Sequence, residues 1–143
     1  MTTLAAEAYS RDRTNAAISA ALDRGCTVLF GTANTLLIDF DGDGQKRYEA
    51  CRPVLDSLFG IEEETRWKSS SREAGHEHLQ VRLAADFTVE ERIALQAILG
   101  SDPMREILSL RNRRQGSIEP CVLFRPPPQQ KKTLSESFGE LIA

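Results

Sequence analysis

Little in this chain suits cross-linking, membrane crossing or bulk attraction to a polyanion. Its three cysteines, Cys26, Cys51 and Cys121, are far apart and odd in number. They form no CxxC pair and no zinc spacing with His76 and His78. Neither a disulfide framework nor a zinc module is indicated, and buried, reduced thiols are the expectation. No apolar run approaches the roughly 20 residues of a membrane span. The opening "MTTLAAEAYSRDR" lacks the apolar centre of a secretory signal, so the expected location is the cytoplasm, with no membrane partner. A net charge of −3 excludes a histone-like polycation. Any nucleic-acid contact would come from a local basic patch. There is no internal repeat. What is present, 143 residues of which 41% are hydrophobic and 27% charged, suits one domain with one core.

Along the chain, residues 1–13 are weakly patterned and read as a loose N-terminus. "TNAAISAALDRG" predicts a short helix. Thr14 or Asn15 would cap it, Ala17, Ile18, Ala21 and Leu22 would form its apolar stripe, and Gly25 would end it. "CTVLF" and "TLLIDFD" are β-prone, and "GDGQ" stops the second of them. "KRYEACRPVLDSLFG" has helical spacing, with Pro53 as an internal blemish that kinks it or delays its start. "EETRWKSS" and "HEHLQVRLA", joined by "SREAG", read as a hairpin. Thr88 and Glu91 fit a capping box ahead of "RIALQAIL". Asp102 and Pro103 open a further helix, "MREILSLRNRR". "EPCVLFRP" is the last strand.

From Leu36 the order is strand, helix, strand, strand, helix in two pieces, strand. That predicts an α+β protein, a ferredoxin-like or RRM-like βαββαβ sheet with helices on one face. The N-terminal helix and "CTVLF" would be additions at an edge. The domain would span residues 14–126, with 127–143 a mobile C-terminal tail. Within the tail, "LSESFGELIA" reads either as plain disorder or as a short amphipathic segment for a protein partner.

Strand alternation sorts the side chains. In "LLIDFD", Leu36, Ile38 and Phe40 point one way, and Leu37, Asp39 and Asp41 the other. In "HEHLQVRL", Leu79, Val81 and Leu83 form the core set, and His76, His78, Gln80 and Arg82 share the opposite face. The first and third strands of such a sheet are usually neighbours. Asp39 and Asp41 would then lie beside the histidines on an open sheet face. Two close carboxylates repel unless a cation sits between them, and Mg²⁺ or Mn²⁺ prefers such oxygen ligands, often shared with phosphates. A histidine and arginines beside them could hold phosphate oxygens. The parts describe metal-assisted binding or transfer of nucleotide phosphates.

Other readings stand beside this one. Asp43 with Gly44 makes an ordinary turn. "DFDGDG" matches the opening of a calcium loop, but the twelfth position is Ala50 where a bidentate Glu is needed. His76 and His78 also suit an exposed hairpin. Arg105, Arg111, Arg113 and Arg114 could grip phosphates, while the last three equally suit a helix C-terminus. Asp102 suits a helix cap as well as a metal ligand. Trp67 could stack on a base or pack in the hairpin.

"LLIDFD", followed after a helix by "SSSREAGHEHLQVRL", resembles the archaeo-eukaryotic primase superfamily, the primase-polymerases, over about residues 35–125. The later run "ERIALQAILGSDPMREILSL…PCVLF" is similar to small primase-like proteins of phages and mobile elements. The resemblance implies that Asp39 and Asp41 bind catalytic Mg²⁺ or Mn²⁺. It also implies that Ser71 and Gly75 form the turn before the histidine strand, and that His78 contacts the nucleotide's phosphates. Lys68, Arg72, His76 and Arg82 would line the path of nucleotide and single-stranded nucleic acid. The implied reaction is nucleotidyl transfer in phage or mobile-element replication. The nearest candidate for the third acid of that pattern is Asp102. The alternative is a catalytically inert phage or mobile-element accessory protein, binding nucleic acid or a host protein through the open sheet face. A ferredoxin-like module that pairs sheets in a dimer is a third possibility.

Overall fold

The computed structural model describes residues 4–68 and 76–127. Among these run α1 (Leu4–Asp23), β1 (Thr27–Phe30), β2 (Thr35–Phe40), α2 (Gly44–Phe59), β3 (Ile61–Lys68), β4 (Glu77–Leu83), α3 (Val89–Ile98), α4 (Pro103–Arg114) and β5 (Val122–Arg125). The helix expected from Thr14 begins earlier, at Leu4, where "LAAEAYSRDR" is rich in good helix formers. Pro53 sits inside α2 without ending it. The tail segment "LSESFGELIA" lies outside the described residues. No helix among the described residues is long and apolar enough to cross a membrane.

The protein is α+β, but it is not a single ferredoxin-like sheet. β2, β4 and β3 form one antiparallel sheet in that order, so the first and third strands of the expected unit are indeed neighbours. A single βαββαβ sheet would include β5 as its fourth strand. Instead β5 pairs antiparallel with β1 in a separate two-stranded sheet. The reason lies at the free edge of β2, where polar groups from α3, α4 and the turn between them occupy the bonds that a strand would use. Leu37 N donates to Gln96 Oε1 at 2.9 Å, and Leu37 O accepts from Arg105 Nη1 at 2.8 Å. Asp39 N donates to Ser101 Oγ at 3.1 Å, and Asp39 O accepts from Asp102 N at 2.7 Å. Arg105 also reaches Val122 O of β5 at 3.0 Å, so one guanidinium joins the two sheets across the gap.

The core forms on the predicted face. Leu36, Ile38 and Phe40 of β2 and Leu79, Val81 and Leu83 of β4 are buried with Tyr48 and Leu55 of α2 and with Leu99. Because side chains alternate, a one-residue slip of β2 would turn three of these residues outward. The register is therefore fixed by their burial, each such side chain being worth about 1.5–3 kcal/mol. α2 is tied to the sheet edge by Tyr48 and Arg52, both donating to Glu64 Oε1 of β3. β3 itself carries a bulge between Ile61 and Glu63.

The opposite face is not fully open. Its rows are Thr35–Arg82–Glu63, Leu37–Gln80–Thr65 and Asp39–His78–Trp67. β5 covers the last of these. Trp67 Nε1 donates to Phe124 O at 3.0 Å, and Arg125 lies over the indole at 5.6 Å. Leu37 is wholly buried, as are Cys121 and Leu123 beside or on β5. The two donors offered by Trp67 and His78 draw the carbonyl of Phe124 over the sheet. The row of Thr35, Arg82 and Glu63, with its neighbours Gln80 and Thr65, forms a shallow polar surface.

Candidate functional site

β2 and β4 pair so that Asp39 faces His78 directly. Leu37 and Asp39 turn their backbone groups away from β4, which makes Asp39–His78 a non-hydrogen-bonded pair, the kind whose side chains stand closest. His78 Nε2 lies 3.2 Å from Asp39 Oδ1. Two residues on, about 7 Å along the strand, His76 Nε2 lies 3.5 Å from Asp41 Oδ1. The sequence thus places two aspartate–histidine pairs in succession at one end of the sheet. The inner pair is mostly buried, with 9% of the His78 side chain and 26% of the Asp39 side chain exposed. The outer pair is wetter, at 21% and 53% for His76 and Asp41.

The imidazole of His78 is held at both nitrogens. Its Nδ1 is 3.2 Å from Phe124 O. A backbone carbonyl only accepts, so Nδ1 is the nitrogen that carries hydrogen in this contact, a tautomer assigned from its partner. Nε2 is then aimed at Asp39. The ring of Trp67 meets that of His78 edge-on at 5.6 Å between centroids and fixes its plane. An imidazole whose Nδ1–H is tied to a carbonyl and whose Nε2 is presented to a carboxylate is oriented as a metal ligand commonly is. Two donors about 2.1 Å from one ion at a right angle stand about 3 Å apart, close to the 3.2 Å seen here. Asp39 and His78 could therefore supply two donors to a divalent cation, and 3.2 Å is equally the separation of an ordinary aspartate–histidine ion pair. Among the described residues, no group of three or more His, Cys, Asp and Glu side chains is gathered to hold an ion.

Asp39 is positioned from behind by residues that strand parity does not show. Ser101 and Asp102 hold its backbone, and Ser101 Oγ in turn donates to Glu106 Oε1 at 3.2 Å. Glu106, 2% exposed, also accepts from Gln96 Nε2 at 2.8 Å and from Arg105. Burial pushes its carboxyl above the ordinary range, against the opposing pull of Arg105, Gln96 and Ser101. The signal available in the sequence was a polar Gln96 between Ile93 and Leu99 on the core side of α3.

The other candidates divide. Asp102 lies next to Asp39 through its backbone, but its Oδ1 accepts from Met104 N at 3.0 Å and caps α4. Arg105 is committed to the sheet junction. Arg113 is paired with Glu90 at 2.9 Å. Arg82 lies four residues from His78 and is held by Glu62 and Glu63, at 3.2 and 3.0 Å, so it does not join the site. Lys68 is exposed and in register with Glu77, on the opposite parity from His78. Trp67 packs against His78 and Phe124 rather than standing clear. Ser71, Arg72 and Gly75 lie outside the described residues. The cysteines are free, with Cys26 and Cys121 buried, and burial holds the Cys121 thiol up at about 11.

Asp39 and His78 open on a groove of about 570 Å³ between α1, α4 and β5. Compared with protein-family models, with curated proteins and with solved structures, the chain matches none.

Proposed function

We propose that this chain is a small primase-polymerase-like domain that binds a nucleotide and single-stranded nucleic acid together with a divalent cation, Mg²⁺ or Mn²⁺. The observation that carries this reading is the Asp39–His78 pair, 3.2 Å apart, with His78 Nδ1 fixed on Phe124 O. Asp39 and His78 would hold the cation, with Asp41 and His76 beside them. A bound divalent cation would neutralise phosphate oxygens and favour in-line attack of a hydroxyl on an α-phosphate, the chemistry of nucleotidyl transfer. The chain's own contribution is placement. Ser101 and Asp102 lock the backbone of Asp39, Phe124 sets the tautomer of His78, and Trp67 excludes water from one side of the imidazole.

The test is calorimetric titration with Mn²⁺ and then with nucleoside triphosphate. Asp39→Asn and Asp41→Asn should each weaken Mn²⁺-dependent nucleotide binding by about tenfold or more, as expected when a charged ligand to a cation is neutralised. Binding that survives both substitutions unchanged would remove the proposal. A catalytically inert accessory protein is the second reading, and one observation favours it: the carboxylate of Asp102, nearest in position to a third acid, is engaged on Met104 N. Primer-extension assays separate the two. Incorporation that Asp39→Asn destroys would eliminate the inert form.

A further inference from the structure

We propose that the groove between α1, α4 and β5 is the docking site of the chain's own C-terminal segment, residues 134–142, within the same molecule. The claim is independent of any cation at Asp39 and His78.

α4 is built inside out. Its buried residues, Glu106, Ser109 and Asn112, are all polar. Met104, Ile107, Leu108 and Leu110 are instead between 43% and 63% exposed. Apolar side chains gathered in water along one helix mark an interaction surface. Met104 and Leu108 line the groove one turn apart, and Arg111 lines it beyond them. Ala17 of α1 and Val122 and Phe124 of β5 form the other walls. A trough of this kind takes the apolar face of an amphipathic helix, anchored at positions i, i+4 and i+7.

The occupant follows from where the chain goes next and from its charge. The described residues end at Pro127, two positions past β5, which is itself a wall of the groove. Residues 128–133 then span about 20 Å when extended, ample to bring residue 134 back over α4. Leu134, Phe138 and Leu141 have the same i, i+4, i+7 spacing as Met104, Leu108 and Arg111. As helices, both rows measure about 10 Å. The segment carries Glu136 and Glu140 and no basic residue. Arg111 and Arg114, in the last turn of α4, have no carboxylate partner among the described residues. An apolar and acidic segment thus complements a trough that is apolar along its length and basic at one end. The short tether favours docking within one molecule over docking between copies. Asp39 and His78 line the same groove, so the docked segment would also screen them from solvent.

Limited chymotrypsin digestion of the full chain tests this, with cleavage after Phe138 followed by mass spectrometry. Docking protects that bond. Leu108→Glu, at an exposed groove position, should speed its cleavage about tenfold or more at unchanged melting temperature, because cleavage follows the open population. Leu110→Glu, also exposed on α4 but outside the groove, should leave the rate as in the wild type. Equal rates in the wild type and Leu108→Glu would overturn the docking. Equal acceleration by Leu110→Glu would overturn its assignment to the groove. Protection should also hold constant across about a hundredfold range of protein concentration, as a tethered contact requires. Protection that grows with concentration would give the groove to the segment of a second copy or to another partner surface, and would overturn the intramolecular contact. None of these readouts involves a metal, so failure here leaves the cation reading untouched.

Discussion

Gly44 follows the acidic run, and its lack of a side chain matters more than its role in a turn. A Cβ built there would stand 2.1 Å from Gly100 O, and one on Gly100 would stand 2.2 Å from Gly44 O. The two glycines let the start of α2 meet the turn between α3 and α4, beside the bridge from Phe40 to Ser101. Gly100 also has φ of +98°, so it is constrained twice, whereas Gly44 is constrained by space alone. Gly44→Ala should therefore cost about 1–3 kcal/mol through overpacking. Urea denaturation would register this as a lower midpoint at unchanged slope. An unaltered midpoint would mean that the close approach is absent in solution. At this scale the sequence was partly legible. Which sheet face Asp39 and His78 occupy follows from strand parity, which is local, while their facing one another depends on the pairing of β2 with β4. The need for glycine at position 44 depends on a residue 56 positions away, and nothing near Gly44 announces it.

Elements with local signals were the easiest to read. Thr88 Oγ1 accepts from Glu91 N at 3.1 Å, and Glu91 Oε1 accepts from Thr88 N at 2.9 Å, completing the capping box at α3. Thr88→Ala should cost about 1 kcal/mol, within the roughly 0.5–2 kcal/mol found for lost caps. Thermal and chemical melts of the variant would check it, and Thr88→Ser should restore most of the loss. β5 shows the opposite case. Its existence was visible in "CVLF", but its partner was not. Strand pairing depends on what else competes for an edge, and the free edge of β2 is taken by Gln96, Ser101, Asp102 and Arg105 from a different part of the chain. Hydrophobic pattern is silent on such polar substitutes for a strand. The covering of His78 by Phe124 escaped the sequence reading for the same reason.

Across the whole molecule, Glu106 and Arg105 connect α3, α4 and both sheets, so the protonation of Glu106 is felt globally. Burial raises its folded-state value above the ordinary carboxyl value of 4.5. The folded protein then binds this proton more readily than the unfolded chain does. The stabilising contribution is fully present below the unfolded value and is lost as pH rises through the folded one. Glu106→Gln removes that dependence. The wild type's advantage over the variant should shrink as pH increases from 4.5 toward 7, as measured by denaturant melts at several pH values. An advantage that stays constant or grows would show that ionised Glu106 is fully compensated by its neighbours.

The two outer rims of the three-stranded sheet are guarded differently. On one, amide and guanidinium side chains already occupy the hydrogen-bonding groups, leaving no continuous rail on which a foreign chain could zip. On the other, β3 carries Glu62, Glu63 and Glu64 in succession and an irregular step at its beginning. Such a rim misaligns an incoming ladder, and the ion pairs of Glu62 and Glu63 with Arg82 would have to give up water or partners to admit one. Concentrated solutions should accordingly resist fibril-like stacking through this sheet, and neutralising the glutamates would be the way to unmask it.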